Sequence, residues 1–258
     1  IILIIYNLIA KGFRQINFSF LFATAPNTFD AMTAVAAGDR IPGGIANGIT
    51  GTLLMVAMAS LIAIPVGIIS GIYLYESKEK KLARLIRSIA DILQGVPSIV
   101  LGLISYLWVV KYVTNGFSAL AGSVALSVMM LPMIVKSTEE TLKMIPNSIK
   151  EAALALGAPY YKVILKVLIP TAFSGLMTGI LLAVSRVIGE TAPLMLTALG
   201  SSTINWDATK PTSAIPLLIW DFYNNPNMVD LIWSTSLLLM GIVLIFNLIS
   251  KQVAANRK

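Results

Sequence analysis

Residues 151–170, EAALALGAPYYKVILKVLIP, lie between two long apolar segments, 118–135 and 171–198. The stretch reads as two short helices around a turn. Ser148 and Glu151 have the S-x-x-E spacing of a capping box, in which each side chain serves the other residue's backbone amide, so a helix is expected from about 149. Gly157 suits the end of that helix in the left-handed conformation. Pro159 suits the first turn of a second helix, and Lys162 and Lys166 lie one turn apart on it. Pro170 is expected to break the chain before the next apolar segment. Ala152, Ala153 and Ala155 keep the first helix thin enough to enter a groove. The same residues also serve a local end, with Glu151 capping and the alanines favouring helix. A charged helix–turn–helix between two apolar segments of membrane length decides the architecture, because the chain must cross a bilayer on either side of it.

The rest of the chain agrees. It is 57% hydrophobic and 12% charged, with mean hydropathy +0.83, whereas a soluble domain carries about 25% charged residues. The expected class is an all-α polytopic membrane protein with about six transmembrane helices in one domain, 1–258. The spans fall near 1–10, 45–75, 85–110, 118–137, 171–198 and 229–250. The first is too short to cross as helix and has neither an initiating Met nor a cleavage site, so the chain is read as lacking its true N-terminus rather than carrying a signal peptide. There is no Cys and no His, which removes disulfides, thiolate chemistry and His-based metal sites. No catalytic or metal-ligating set is expected, and the absence of facing carboxylate pairs argues against an intramembrane enzyme. No G-x-x-x-x-G-K-[ST] occurs, so the chain does not cradle ATP itself.

The net charge of +7 is distributed as an orientation signal. Loop 76–87 holds Lys78, Lys80, Lys81, Arg84 and Arg87. Loop 136–170 holds Lys136, Lys143, Lys150, Lys162 and Lys166, and the tail holds Lys251, Arg257 and Lys258. The opposite side holds Lys11, Arg14, Arg40, Lys111 and Lys210. The richer side belongs in the cytoplasm, together with the loop at about 138–170 and the C-terminus. This pattern speaks against a nucleic-acid footprint. The long connections 11–44 and 199–228 then lie outside, over a pore mouth or as plain connectors.

Within the spans, Arg186 and Glu190 stand four apart on one expected helix face, where an unpaired charge costs at least about 3 kcal/mol. A guanidinium suits a tetrahedral oxyanion, since its planar fork donates two parallel bonds. The plainer reading is an ion pair that staples the helix. Asp91 and Gln94, one turn apart, read as structural, as do Asn47, Thr50 and Thr52, which are expected to bond neighbouring helices. The pairs Gly44/Gly48, Gly67/Gly71 and Gly175/Gly179 read as close helix contacts. Pro65, Pro97, Pro132 and Pro193 are expected to kink or interrupt spans.

Two resemblances follow from these residues. Glu151, Ala152, Ala153, Gly157 and Pro170 are in register with the EAA loop of bacterial ABC-importer permeases (E-A-A-x3-G-x9-I-x-L-P), with Val167 and Ile169 as conservative departures. Residues 185–194, SRVIGETAPL, resemble the permeases of phosphate-specific (Pst-type) ABC importers, the A-type more than its C-type sister. So do Gly43–Asn47, Gly51–Leu54, Gly71–Leu74 and Gly95–Val100. The resemblance implies a type I importer permease of the bacterial or archaeal inner membrane, non-catalytic and without a bound cofactor. It implies coupling through Glu151, Ala152, Ala153 and Gly157 to two copies of an ATPase that use ATP and Mg2+. It further implies a C-type permease partner, an external phosphate-binding protein, and phosphate passage past Arg186 and Glu190. Alternatives are an importer for another oxyanion, such as sulfate or molybdate, and an ATP-independent transporter or channel.

Overall fold

The computed structural model describes residues 2–77 and 80–255. The charges at Lys78, Arg257 and Lys258 lie outside them. Among the described residues no strand forms, and Leu199 and Thr212 make one isolated bridge. Short helices α1 (Ile2–Gly12), α2 (Phe18–Phe22) and α3 (Thr28–Ala37) precede α4 (Ala46–Glu76). Next come α5 (Lys81–Gly95), α6 (Ser98–Ser105, continued by a π turn to Val110), α7 (Ala119–Lys143) and α8 (Asn147–Ala155). Then α9 (Tyr160–Val163) runs through a second π turn, Ile164–Leu168, into α10 (Ile169–Ile188). The chain closes with α11 (Ala192–Met195), α12 (Ile215–Tyr223) and α13 (Val229–Ala255).

Among the described residues four helices are long and apolar enough to cross a membrane: Ala46–Glu76, Ala119–Lys143, Tyr160–Ile188 and Pro226–Ala255. The broken pair Lys81–Gly95 and Ser98–Val110 makes a fifth if counted as one span. The expected straight span 85–110 is therefore interrupted. Pro97 lacks an amide and disfavours helix at the residue before it, and both Val96 and Pro97 take extended backbone. Pro65 and Pro132, by contrast, sit inside continuous helices.

Pro170 does not break the chain as expected, for the helix runs through it from Tyr160 to Ile188. The reason is the π turn just before it. The Ile169 amide donates to the Ile164 carbonyl, five residues back, and this wider turn accommodates the proline ring that would otherwise strike the preceding carbonyl. The span is thus shifted toward its N-terminus relative to the expected 171–198. Helix α7 also outruns its expected end by six residues, so the loop between α7 and α9 is confined to about 144–159.

The chain divides into two compact units, each assembled from several segments. The first comprises Ile1–Ala59, Pro97–Leu126 and Arg186–Ile245, and the second Ser60–Val96, Ser127–Ser185 and Phe246–Lys258. In the second unit α7 is the shared partner of two helices. A Cβ added at Gly67 or Gly71 of α4 would fall 2.6 Å and 2.5 Å from Ile134 and Thr138. Gly175 and Gly179 of α10 lie equally close over Thr141 and Ser137. Lipid supplies no hydrophobic drive between helices, so packing this tight rests on small residues. The pairs at 67/71 and 175/179 are the close contacts expected.

In the first unit the long connection after α10 closes over the start of α7. The amides of Ser118, Ala119 and Leu120 donate to the carbonyls of Thr197, Lys210 and Ala208 at 2.9, 3.0 and 2.8 Å. These are amides that a helix leaves unpaired at its N-terminus. Asn47, 1% exposed, accepts from the Ala25 amide at 3.2 Å and donates to the Ser201 carbonyl at 2.7 Å. Thr52 accepts from the Ile215 amide at 3.0 Å, capping α12. Both serve neighbouring elements, as expected. At the other edge α1 lies on α13, with Ser234 donating to the Gly12 carbonyl at 2.7 Å and Arg14 pairing with Asp230 at 3.3 Å.

Candidate functional site

The loop helix α8 starts two residues earlier than the capping box requires. Pro146 is its N-cap and no side chain caps it, so Ser148 falls inside the first turn and the Ser148–Glu151 exchange does not form. Its C-terminal end does match expectation. Gly157 has φ +77°, the Ala158 amide donates to the Ala153 carbonyl at 3.3 Å, and the Gly157 amide donates to the Leu154 carbonyl at 2.9 Å. That pair of bonds is a complete Schellman motif. Pro159 then takes the N-cap position of the next helix.

No residue of α8 is buried. Glu151, Ala152 and Gly157 are exposed and Ala153 is half-buried. Apolar side chains stand out beside them, with Leu156 88% and Tyr161 60% exposed. Leu156 lies in the loop itself and Tyr161 at the start of the helix that follows it.

What holds this loop is a residue that the sequence presented only as an orienting charge. Lys150 of α8 donates to both carboxylate oxygens of Glu76, the last residue of α4, at 3.1 and 3.0 Å, and to the Tyr160 hydroxyl at 2.9 Å. Its ammonium also lies 4.9 Å from the Tyr160 ring and 5.5 Å from that of Tyr75. No sequence signal marks the pair, because its members are 74 residues apart.

Beside it, Glu139 of α7 is nearly buried and receives Arg87 of α5 at 2.9 Å and Lys143 at 2.7 Å. Arg87 also donates to the Leu74 carbonyl at 2.9 Å. Lys136 of α7 pairs with Asp91 and donates to Gln94 at 2.9 Å, so these two residues tie α5 to α7. Helix α5 turns Ala83 and Ala90 inward and Arg87 in part. Its apolar stripe, Leu82, Leu85, Ile89 and Ile92, faces out, as a helix in lipid does.

The second group lies where α10 ends. Arg186 is in its last turn and the helix stops at Ile188. The Gly189 and Glu190 amides donate back to Arg186 and Val187 at 3.3 and 3.2 Å, the tight bonds that close a helix end. Glu190 therefore stands just past the helix rather than on its face. Pro193 accounts for the break, since in a continued helix its ring would meet the carbonyl of residue 189. Arg186 Nε lies 3.9 Å from Glu190 Oε1, a loose pair, and the helix C-terminus itself favours the cation. The segment after the break packs against α6, where a Cβ on Gly102 would lie 2.6 Å from Pro193 Cα.

A cavity of about 740 Å3 opens beside the connection after α10, among Asn47, Ser201, Asp221 and Asn225. Asp221 is its only charged lining residue, which makes it unsuited to an anion. In the same connection Asp207 accepts the Thr209 hydroxyl at 2.7 Å and its amide at 3.0 Å. These bonds hold its carboxyl below the usual aspartate range.

The model of a family described as binding-protein-dependent transport system inner membrane component matches residues 63–256. The chain belongs to this family. Among curated relatives, the phosphate transport system permease protein PstA of Yersinia pestis is 38% identical over 247 residues, 92% of this chain and 83% of that protein. The PstA proteins of Haemophilus influenzae and Mycobacterium tuberculosis (PstA 1, strain H37Rv) are 32% and 36% identical. They cover 99% and 83% of this chain and 87% and 71% of their own lengths. The inward-facing MetNI methionine ABC transporter contains a chain of the same fold, with TM-score 0.69, 22% identity, and 82% of this chain and 94% of that one covered. The protein is thus a multi-pass permease subunit of an ABC importer, a system that pairs its inner-membrane component with a binding protein and an ATPase.

Proposed function

We propose that this permease carries inorganic phosphate, as the A-type half of a pathway completed by a homologous C-type permease. A phosphate-binding protein delivers the ion from outside. Two copies of an ATPase, holding ATP and Mg2+, work on the cytoplasmic side. The permease itself is non-catalytic and binds no cofactor. Its loop at 144–159, with Glu151, Ala152, Ala153 and Gly157, docks into the ATPase, and the open apolar surface at Leu156 and Tyr161 supports that role. The charge bias of the loops supports placing this loop and the C-terminus in the cytoplasm.

The observation that carries the substrate reading is Arg186 at the broken end of α10. It is half-exposed beside a loosely held carboxylate, in a chain whose PstA relatives are phosphate permeases by name. A guanidinium there attracts the anion, and Glu190 limits how tightly it is held, since conduction needs release as well as entry. The test is labelled phosphate uptake in cells lacking other phosphate systems. Arg186→Ala is expected to abolish uptake with the complex still assembled, and Arg186→Lys to restore part of it, because a point charge does not replace the fork. Glu190→Gln is expected to do less harm than Arg186→Ala. Normal uptake by an assembled Arg186→Ala complex reduces the pair to a structural staple.

A further inference from the structure

The last turn of α4 is where polar contacts from α5 and α8 meet. Leu74 accepts Arg87 through its carbonyl, Tyr75 lies under the Lys150 ammonium, and Glu76 takes Lys150 on both carboxylate oxygens. Arg87 in turn holds Glu139 of α7, which also holds Lys143. Of these contacts, only those of Lys150 reach the exposed helix α8. The Lys150 and Glu76 side chains are 23% and 20% exposed, so the pair is screened less than an open surface bridge. The Tyr160 hydroxyl and two aromatic rings restrict the ammonium further. Helix α8 buries none of its residues fully; apart from Lys150, its Ala153 packs in part against the apolar cluster of Tyr75, Leu142 and Val163.

We propose that Lys150 is the positioning residue that ties the docking helix to α4, so that a displacement of α8 by the ATPase is handed through Glu76 to the inner end of that span. The proposal rests on the docking role given to the loop above. Lys150 touches neither phosphate nor nucleotide; it acts through Glu76. The Arg87–Glu139–Lys143 cluster then extends the connection from α4 to α5 and α7.

The experiment uses the complete importer, with both permeases, ATPase and binding protein, reconstituted in liposomes. Phosphate uptake and ATP hydrolysis are measured together, and ATPase association is followed by co-purification. Lys150→Met is expected to co-purify normally and to lose about fivefold or more in phosphate moved per ATP, the lower range of coupling between distant sites. Glu76→Gln should do the same. The exchanged pair, Lys150→Glu with Glu76→Lys, should recover most of the ratio, although each single reversal lowers it. A Lys150→Met complex with the wild-type ratio overturns the proposal. So does one whose ATPase association and melting temperature fall while the assembled fraction couples normally, since Lys150 is then only part of the loop's fold. A wild-type chain from which the ATPase separates when the loop is intact, or which binds it equally well with the loop deleted, refutes the docking reading instead.

Discussion

The two connections flanking α10 are built differently. The one that follows it, 189–214, is knit into its unit by the backbone. Three of its carbonyls take amides from the start of α7, Asn47 holds Ser201, and Thr52 caps the helix that comes next. The one that precedes it, 144–159, has its own internal Schellman turn and exposed apolar side chains, and is tied by Lys150 and by a small apolar contact through Ile145, Ala153 and Ala158. Backbone bonds satisfied in place make a connection part of the scaffold, because undoing them leaves polar groups bare. A helix with few buried residues is free to move with a partner that covers it. The first connection is therefore built as fixed framework, and the second, on the docking proposed above, serves as a handle.

Damage to the first connection should appear as lost stability. Asn47→Ala removes a donor and an acceptor from buried groups at once. It is expected to cost about 2 kcal/mol or more, seen as a fall of roughly 4–8 °C in the melting temperature of the purified permease complex. An unchanged melting temperature would mean the connection is not framework.

Damage to the second should appear as lost association. Gly157→Val places a branched side chain at φ +77°, which costs about 1–2 kcal/mol. If that cost falls on the docked form, ATPase affinity drops about tenfold, while membrane insertion persists and the melting temperature of the ATPase-free permease moves little. Wild-type association of Gly157→Val contradicts the docking role of the turn.

The gentlest probe alters neither. The chain has no cysteine, so single cysteines label cleanly. A cysteine at exposed Ser202 should react with an impermeant thiol reagent from outside, and one at exposed Ser148 should not. Reversed labelling would exchange the sides assigned to framework and handle.

Much of this was legible in the sequence. Hydropathy placed both ends of α4 and the starts of α7 and α13 within a residue, while α7 and α13 ran on past their expected ends. The Glu151–Gly157 register located the loop, and Gly157 announced its left-handed turn. The glycine pairs identified close helix contacts before their partners were known. Such properties belong to single residues or short windows: transfer into lipid, a permitted φ, room for a neighbouring backbone.

Tertiary structure decided what depends on residues far apart or on competing local solutions. The capping box pointed to a helix start near 149, but α8 begins at Asn147 with Pro146 in the N-cap place. A π turn let Pro170 stay inside a helix, whereas Pro97 and Pro193 ended theirs. Arg186 and Glu190 were read on one helical face, but the helix ends at Ile188 and Glu190 meets Arg186 from beyond that end. Lys150 gave no sign of Glu76, nor Arg87 of Glu139, because an ion pair exists only once two helices have met. Local preference names the conformations each residue tolerates; only packing chooses among them and selects the partner.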